Sequence, residues 1–144
     1  EREVEARYET LLERYSKNIQ IESRILGEMA LNRVIPPAIK TQDMLIEHLN
    51  KLDGIGILEG KAELKVTVEK NARHIEAIKR QVYEMIQERK AANVLENSKA
   101  MAMAYNDNVK PYLESIRYHI DKLELNVDDQ LWQVPKYHEL LFFR

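Results

Sequence analysis

The 144-residue sequence contains no cysteine, and it has only four glycines and four prolines. Without cysteine there is no disulfide framework, no thiolate nucleophile and no cysteine-based zinc site, which favours a reducing compartment, the cytoplasm. Hydrophobic residues make up 44% of the chain and charged residues 32%. This balance is typical of amphipathic helices and not of β-rich or disordered chains. We therefore predict an all-α protein.

An excess of one charge is lacking too, since 22 basic residues face 24 acidic ones and the formal net charge is -2. A chain without a polycationic surface is not expected to bind nucleic acid. No apolar run approaches the roughly eighteen residues that a membrane span needs, and the start has no signal-peptide core. We expect no membrane partner and a cytoplasmic location.

The length of the chain fits one domain covering residues 1–144. Its first residues, Glu1 to Tyr8, are strong helix formers without a preceding N-cap. We interpret the chain as a single helical domain excised from a longer protein.

Apolar residues recur at steps of three and four in three segments, which is the spacing of one helix face. The pattern predicts helices over about 1–52, 61–92 and 98–126, followed by a non-helical or short-helix tail at 127–144. Short connectors between long helices favour an antiparallel three-helix bundle. The most regular stripe belongs to the third helix and comprises Val109, Leu113, Ile116, Ile120, Leu123 and Val127.

The first predicted helix has a longer stripe that carries one polar residue, Glu22. Its members are Val4, Tyr8, Leu11, Leu12, Tyr15, Ile19, Glu22, Leu26 and Met29. A helix of about fifty residues would be about 75 Å long, which exceeds a compact domain. We expect its protruding part to need a further partner. In the second helix, Asn71 interrupts the apolar stripe in the same way.

Prolines interrupt two of the three predicted helices. Pro36 and Pro37 remove two amide donors and clash with the preceding turn, so they either bend one helix or split two. We favour one kinked helix. Pro111 is expected to kink the third helix near Asp107 or to mark the start of its strongest part.

Two short segments have the composition of connectors. The first holds three of the four glycines, and Gly54 is predicted to end the first helix in a left-handed conformation. In the second, Asn97 or Ser98 is suited to cap the third helix.

The sequence contains no recognisable catalytic or metal-binding pattern. The histidines, His48, His74, His119 and His138, lie on different segments and form no Glu-x-x-His or His-Glu-x-x-His motif. We interpret His119 as a bundle-edge histidine and Asp128 as the cap of a short turn over 130–132. We predict no catalytic, cofactor-binding or metal-binding residue in this segment.

The tail concentrates apolar and aromatic residues that need to be packed. The candidates for packing or for an interface are Leu131, Trp132, Pro135, Tyr137, Leu140, Leu141, Phe142 and Phe143. Two alternatives stay open. The tail folds back onto its own bundle, which we favour, or it docks on another domain or a neighbouring subunit. Pro135 suits the first position of a final short helix.

Several stretches together resemble one known family. The run from Ile116 to Leu125, the segment from Val127 to Trp132 and the segment from Pro135 to Phe142 resemble the C-terminus of type III glutamine synthetases. In the first helix, Arg7-Tyr8-Glu9, Tyr15, Ile21-Glu22-Ser23-Arg24 and Ile35-Pro36 are similar to the same family. Asn126 stands where the pattern leads us to expect an apolar residue. Gln133-Val134 and the glycine connector also depart from the pattern.

The resemblance implies that the parent protein is a ligase that joins ammonia to glutamate through a γ-glutamyl phosphate. It implies ATP and Mg or Mn as cofactors of the parent, and a homo-oligomer of stacked rings. The upstream catalytic domain of the same chain and the neighbouring subunits would be the partners of this non-catalytic assembly domain. The alternative is a free-standing helical module that binds an unrelated protein.

Overall fold

The computed structural model describes residues 2–136 of the chain. Three helical stretches follow one another, and no β-strand occurs within these residues. This confirms the prediction of an all-helical chain with three helices, the first of them long. The elements are α1 (Arg2–Met29), a first π segment (Ala30–Val34), α2 (Ile35–Gly54), α3 (Lys61–Asn93), α4 (Ser98–Ala104), a second π segment (Tyr105–Val109) and α5 (Lys110–Glu124).

The first π segment lies directly before Pro36 and Pro37. A proline has no amide hydrogen and its ring clashes with the carbonyl four residues earlier, so the α-helical ladder cannot pass through it unchanged. Here the Ile35 N–H donates to the carbonyl of Ala30, five residues back, and the prolines occupy the first turn of α2. The wider π turn replaces the four-residue hydrogen bonds that the prolines prevent. The chain therefore stays helical through both prolines.

The second π segment lies before Pro111 and compensates for the missing proline amide in the same way. The Lys110 N–H donates to the carbonyl of Tyr105, again five residues back, and Pro111 then stands in the first turn of α5. The interruption predicted near Asp107 therefore takes the form of this π segment, which contains that residue.

The connector between α2 and α3 begins with a glycine cap. The Gly56 N–H donates to the Asp53 carbonyl at 3.2 Å and the Ile57 N–H to the Leu52 carbonyl at 3.1 Å, which is the bonding of a Schellman motif. Gly56 has the required positive φ of 74°. The prediction of a left-handed cap at Gly54 is wrong, because α2 continues through that residue before the motif closes.

The connector between α3 and α4 ends in a side-chain cap. The Oδ1 atom of Asn97 accepts hydrogen bonds from the backbone N–H groups of Lys99 at 2.9 Å and Ala100 at 3.0 Å. These bonds satisfy two of the donors that a helix start leaves free. Asn97 is therefore the cap, and of the two predicted candidates Ser98 is the first residue of the helix.

The core lies around α3, which packs against α2, α5 and the second π segment. Its buried apolar residues are Ala77, Ile78, Val82, Met85 and Ala92. The third helical stretch contributes Tyr105, Val109, Leu113, Ile116 and Leu123 to the same cluster. Along α3 and this stretch the residue numbers run in opposite directions, since Asn93 bonds Tyr105 and Asn71 bonds Asn126.

The buried face of α1 consists mainly of small side chains. Ser16, Ile19, Ser23, Gly27 and Ala30 are buried, whereas most of the larger apolar residues of the predicted stripe are exposed or half-buried. This part of the predicted α1 stripe is wrong. Small residues leave room for the neighbouring helix: a Cβ atom at position 27 would already be in van der Waals contact with the Cγ1 atom of Val82 on α3, at 3.4 Å.

The start of α1 extends the apolar stripe beyond the packed part of the protein. Residues 3–11 are all exposed, including Val4 at 71%, Tyr8 at 51% and Leu11 at 62% of their residue surface. These three residues, hereafter the α1 stripe, form an apolar surface without a partner in the described part of the chain.

The core assignment predicts a large effect of truncating Ile116, which is fully buried. Ile116→Ala is expected to lower the free energy of unfolding by about 3 kcal/mol, because it removes buried methylene groups and leaves a cavity. Ile25→Ala on α1, where the side chain is 52% exposed, is the control and should cost less than about 1 kcal/mol. Urea unfolding of both variants measures the difference, and equal costs would contradict the assignment.

Candidate functional site

The seam between α3 and α5 brings two histidines together. The Nδ1 atoms of His74 and His119 lie 2.9 Å apart, which is a hydrogen-bond distance. Both side chains are half-buried. Since two protonated nitrogens repel each other, one Nδ1 atom must carry a hydrogen and the other must accept it. The ring that accepts is therefore neutral when this bond is made.

Gln81 contacts the outer nitrogen of the His119 ring. Its Nε2 atom lies 3.4 Å from Nε2 of His119, while its buried Oε1 atom has no partner among residues 2–136. In this orientation the amide donates to Nε2 of His119, which places the ring hydrogen of His119 on Nδ1, facing His74.

Positive charges surround the histidine pair. Burial lowers the pKa of His74, and the nearby His119 and Lys122 lower it further. Burial also lowers the pKa of His119, with Arg80 as the second cause. The Tyr118 ring packs edge-on against the His119 ring with centroids 5.3 Å apart, and the Lys122 ammonium lies 5.4 Å from the Tyr118 ring centroid. This environment favours the neutral form of both histidines.

The histidine pair does not have the ligands of a metal centre. Within residues 2–136, no group of three or more His, Cys, Asp or Glu side chains converges in a way that would hold a metal ion. The Nδ1 atoms of both rings are engaged in the interhelical bond. We assign no step of ligase chemistry to these residues.

The sequence pattern does not reveal that His74 pairs with His119. It places His119 at the bundle edge and indicates no partner for it. The available signal was position, because His74 lies next to Ile75 of the α3 stripe and His119 next to Ile120 of the α5 stripe.

The chain reverses after α5 through a capped turn. The Oδ1 atom of Asp128 accepts a bond from the Gln130 N–H at 2.7 Å. Its backbone carbonyl accepts bonds from the N–H groups of Leu131 and Trp132, each at 3.0 Å. The predicted capping role of Asp128 is confirmed. The turn directs Trp132 into the core, where the side chain is only 8% exposed.

Lys136 holds the end of the described tail against the end of α5. Its Nζ atom donates to the Val127 carbonyl at 2.8 Å and forms an ion pair with Asp129. The residue is 8% exposed, which is unusual for a lysine and requires such partners. A lysine in an aromatic tail gave no sequence signal for burial, because its partners are set by the turn.

The predicted tail candidates are only partly described. Leu131 and Val134 are half-buried against the core that contains Trp132, and Pro135 is exposed. The candidates Tyr137, Leu140, Leu141, Phe142 and Phe143 lie outside the described residues, as does most of the short helix predicted from Pro135.

An open groove of about 530 Å³ lies between α2 and α3. Ile39, Ile46 and Ile75 give it an apolar lining, and Asp43 and Arg80 are among the charged residues beside them. Such concave apolar surfaces with a few polar groups are suited to binding a partner. None of the helices described here is long and apolar enough to cross a membrane.

Comparison with known proteins gives consistent matches. Residues 1–53 match the glutamine synthetase C-terminal domain family. A glutamine synthetase of Bacteroides fragilis is 44% identical over 99% of this chain and 20% of its own length. A Type-3 glutamine synthetase of Dictyostelium discoideum is 30% identical over 99% of the chain and 20% of its length. A glutamine synthetase of Butyrivibrio fibrisolvens is 26% identical over 97% of the chain and 20% of its length.

The fold and these seams define a helical-bundle domain held together by an apolar core and by interhelical polar pairs. The chain spans about a fifth of the length of the relatives that it matches. It belongs to the glutamine synthetase family and corresponds to the C-terminal domain of that family.

The histidine pair predicts a loss of stability in mild acid. In the folded chain both pKa values lie below 6.5, whereas the unfolded chain keeps the ordinary value, so the unfolded chain binds more protons. The histidine pair therefore contributes its full share to the stability of the fold above pH 6.5, and this share is lost as the pH falls through the lowered pKa values. Urea unfolding at pH 7.5 and 5.5 should show a loss of about 1 kcal/mol, the typical worth of one hydrogen bond.

The double variant His74→Leu/His119→Leu should remove most of this pH dependence. His48→Leu is the control, because His48 is exposed on α2, and it should keep the dependence. An unchanged pH profile in the double variant would show that other groups cause the acid sensitivity.

The buried Trp132 predicts that the described tail stabilises the bundle. Trp132→Ala should lower the free energy of unfolding by about 3 kcal/mol, because it removes a large buried ring from the core. Gln133→Ala changes the exposed neighbour and should stay within about 0.5 kcal/mol of the parent chain. Thermal unfolding compares the two, and equal melting temperatures would mean that the tail does not contribute.

Proposed function

We propose that this chain is the C-terminal domain of a type III glutamine synthetase and that its role is assembly rather than chemistry. The observation that most supports this assignment is the similarity, over 99% of the chain, to a protein named Type-3 glutamine synthetase. The family resemblance of the α5 and tail segments supports the same type.

On this proposal the parent enzyme makes glutamine from glutamate, ammonia and ATP in the cytoplasm, with Mg or Mn ions. The reacting groups belong to an upstream catalytic domain of the same chain. No residue described here is given a role in ATP, metal or glutamate binding during that reaction. The domain is an antiparallel bundle, a geometry that the opposed numbering along α3 and the third helical stretch supports.

The partners we propose are the catalytic domain of the same chain and neighbouring subunits of a homo-oligomer. The α1 stripe supports this role, because three large apolar residues one helical turn apart are left in water. Burying these residues against another subunit would stabilise the assembly by about 25 cal/mol for each Å² of apolar surface removed from water. The undescribed tail residues are the second proposed contact.

The proposal is tested in the full-length enzyme that contains this domain. The stripe variant Val4→Ser/Tyr8→Ser/Leu11→Ser should convert the assembled oligomer to smaller species, measured by size-exclusion chromatography with light scattering. The control Glu5→Ser/Glu9→Ser/Glu13→Ser places three serines on other exposed positions of the same helix, and its oligomer should be unchanged.

Two results would contradict the proposal. An unaltered oligomer in the stripe variant would exclude the α1 stripe from assembly. Clear ATP binding by the 144-residue chain in calorimetry would exclude a purely structural role. The alternative, a free-standing interaction module, would be favoured if the reading frame upstream of Glu1 encoded no ligase domain.

A further inference from the structure

A second open groove lies where the end of α5 meets α2. Its volume is about 630 Å³, which is in the range of pockets that enclose a drug-sized ligand. Thr41, Met44 and Leu45 line it from α2, and residues 125–130, which follow α5, line it from the other side. This α2–α5 groove is separate from the groove between α2 and α3.

The walls of the α2–α5 groove leave apolar surface in water. Met44 is 55% exposed and Leu125 is 79% exposed. In the same groove Thr41 is only 7% exposed, and its hydroxyl has no hydrogen-bond partner among residues 2–136. A buried hydroxyl normally has a partner, because leaving it unpaired costs free energy. The groove thus offers the apolar surface and the polar group that a further segment would cover.

The described part of the chain ends in this groove. Lys136 is itself one of the lining residues. Its ammonium is held by the Val127 carbonyl at 2.8 Å and by the Asp129 carboxylate, so the chain is tied down at the point where the next residues begin. A segment tethered at its binding site has an effective concentration of about a millimolar or more there. The residues after Lys136 are therefore the best-placed occupant.

The composition of the following segment matches the groove. Five of its eight residues are large and apolar or aromatic, and such a cluster is unfavourable in water. Fully extended, eight residues reach about 28 Å, so several of these side chains can enter a groove that begins at Lys136. The segment consists of Tyr137, His138, Glu139, Leu140, Leu141, Phe142, Phe143 and Arg144.

We propose that residues 137–144 dock in the α2–α5 groove of their own chain. Their apolar side chains cover Met44 and Leu125, and the segment supplies a hydrogen-bond partner for the Thr41 hydroxyl. Because the groove is open on one side, the docked segment buries one face and keeps the other outside. That outer face remains for the contact with a neighbouring subunit proposed above. The docking itself does not depend on the α1 stripe or on assembly.

Thiol cross-linking of the 144-residue chain tests this placement. The chain contains no cysteine, so the variant Met44→Cys/Phe142→Cys carries only the two introduced thiols. A short bis-maleimide is expected to join them within one chain and to give a product of monomer size on a denaturing gel. The yield of this product should be at least tenfold higher than in the control variant.

The matched control is Met103→Cys/Phe142→Cys. Met103 on α4 is also 55% exposed, but it lies at the other end of the bundle. The end of α4 lies beside Asn93 and the groove beside Asn71, and these two positions of α3 are about 33 Å apart. The six residues from Lys136 to Phe142 span at most about 21 Å. The control should therefore give no internally cross-linked product.

Two results of the cross-linking would overturn the proposal. Covalent dimers from the Met44 variant would place the segment in the groove of another copy. Equal yields in the two variants, or no internal product in either, would show that the segment does not occupy the groove. The oligomer of the full-length α1 stripe variant is measured separately, so a failure here and a failure of the assembly role are distinguishable.

Thermal unfolding gives an independent readout of the same docking. Ending the chain after Lys136 should lower the melting temperature by about 5 °C, because the apolar contacts in the groove are lost. Met44→Glu should lower the melting temperature of the 144-residue chain by about 3 °C and leave that of the shortened chain unchanged. Met103→Glu is the control and should change neither. An equal effect of Met44→Glu in both chains would contradict docking against Met44.

Discussion

The missing amide of a proline inside a helix is the constraint on which this bundle depends. The chain meets it twice in the same way, with a π-helical turn that ends two residues before Pro36 and again before Pro111. The turn keeps the chain helical but changes which side faces the neighbours. Before the first π segment, α1 packs mainly on α4 and the second π segment; after it, α2 packs on α3. One long helix thus serves two neighbours in succession.

Features that depend on nearby residues could be read from the sequence. The three helices, the interruptions at the prolines and the caps at Asn97 and Asp128 follow from spacing and from side chains that bond their own backbone. The buried face of α1 could not be read in this way. Hydrophobic spacing predicts that Tyr8 and Leu11 are buried. The residues that actually pack against the neighbouring helices are small ones such as Ser23 and Gly27, which a hydrophobic pattern does not reveal.

The polar residues between the helices also show that the sequence predicts features set by neighbouring residues, but not contacts between helices. Asn71 interrupts an apolar stripe, and Asn126 departs from the family pattern. The structure explains both, because Nδ2 of Asn126 donates to Oδ1 of Asn71 at 3.0 Å. His74 and His119 behave alike. Each residue could be singled out alone, but its partner is set by the register between helices, which periodicity within one helix does not contain.

These pairs in turn fix that register. Apolar stripes can slide past one another by a turn with modest changes in buried area, whereas a buried polar pair that slides leaves two groups without partners. Asn71–Asn126 and His74–His119 hold α3 to α5 in this way. The Arg117–Glu22 ion pair at 2.5 Å also joins α5 to α1, but it is exposed to solvent and therefore contributes less.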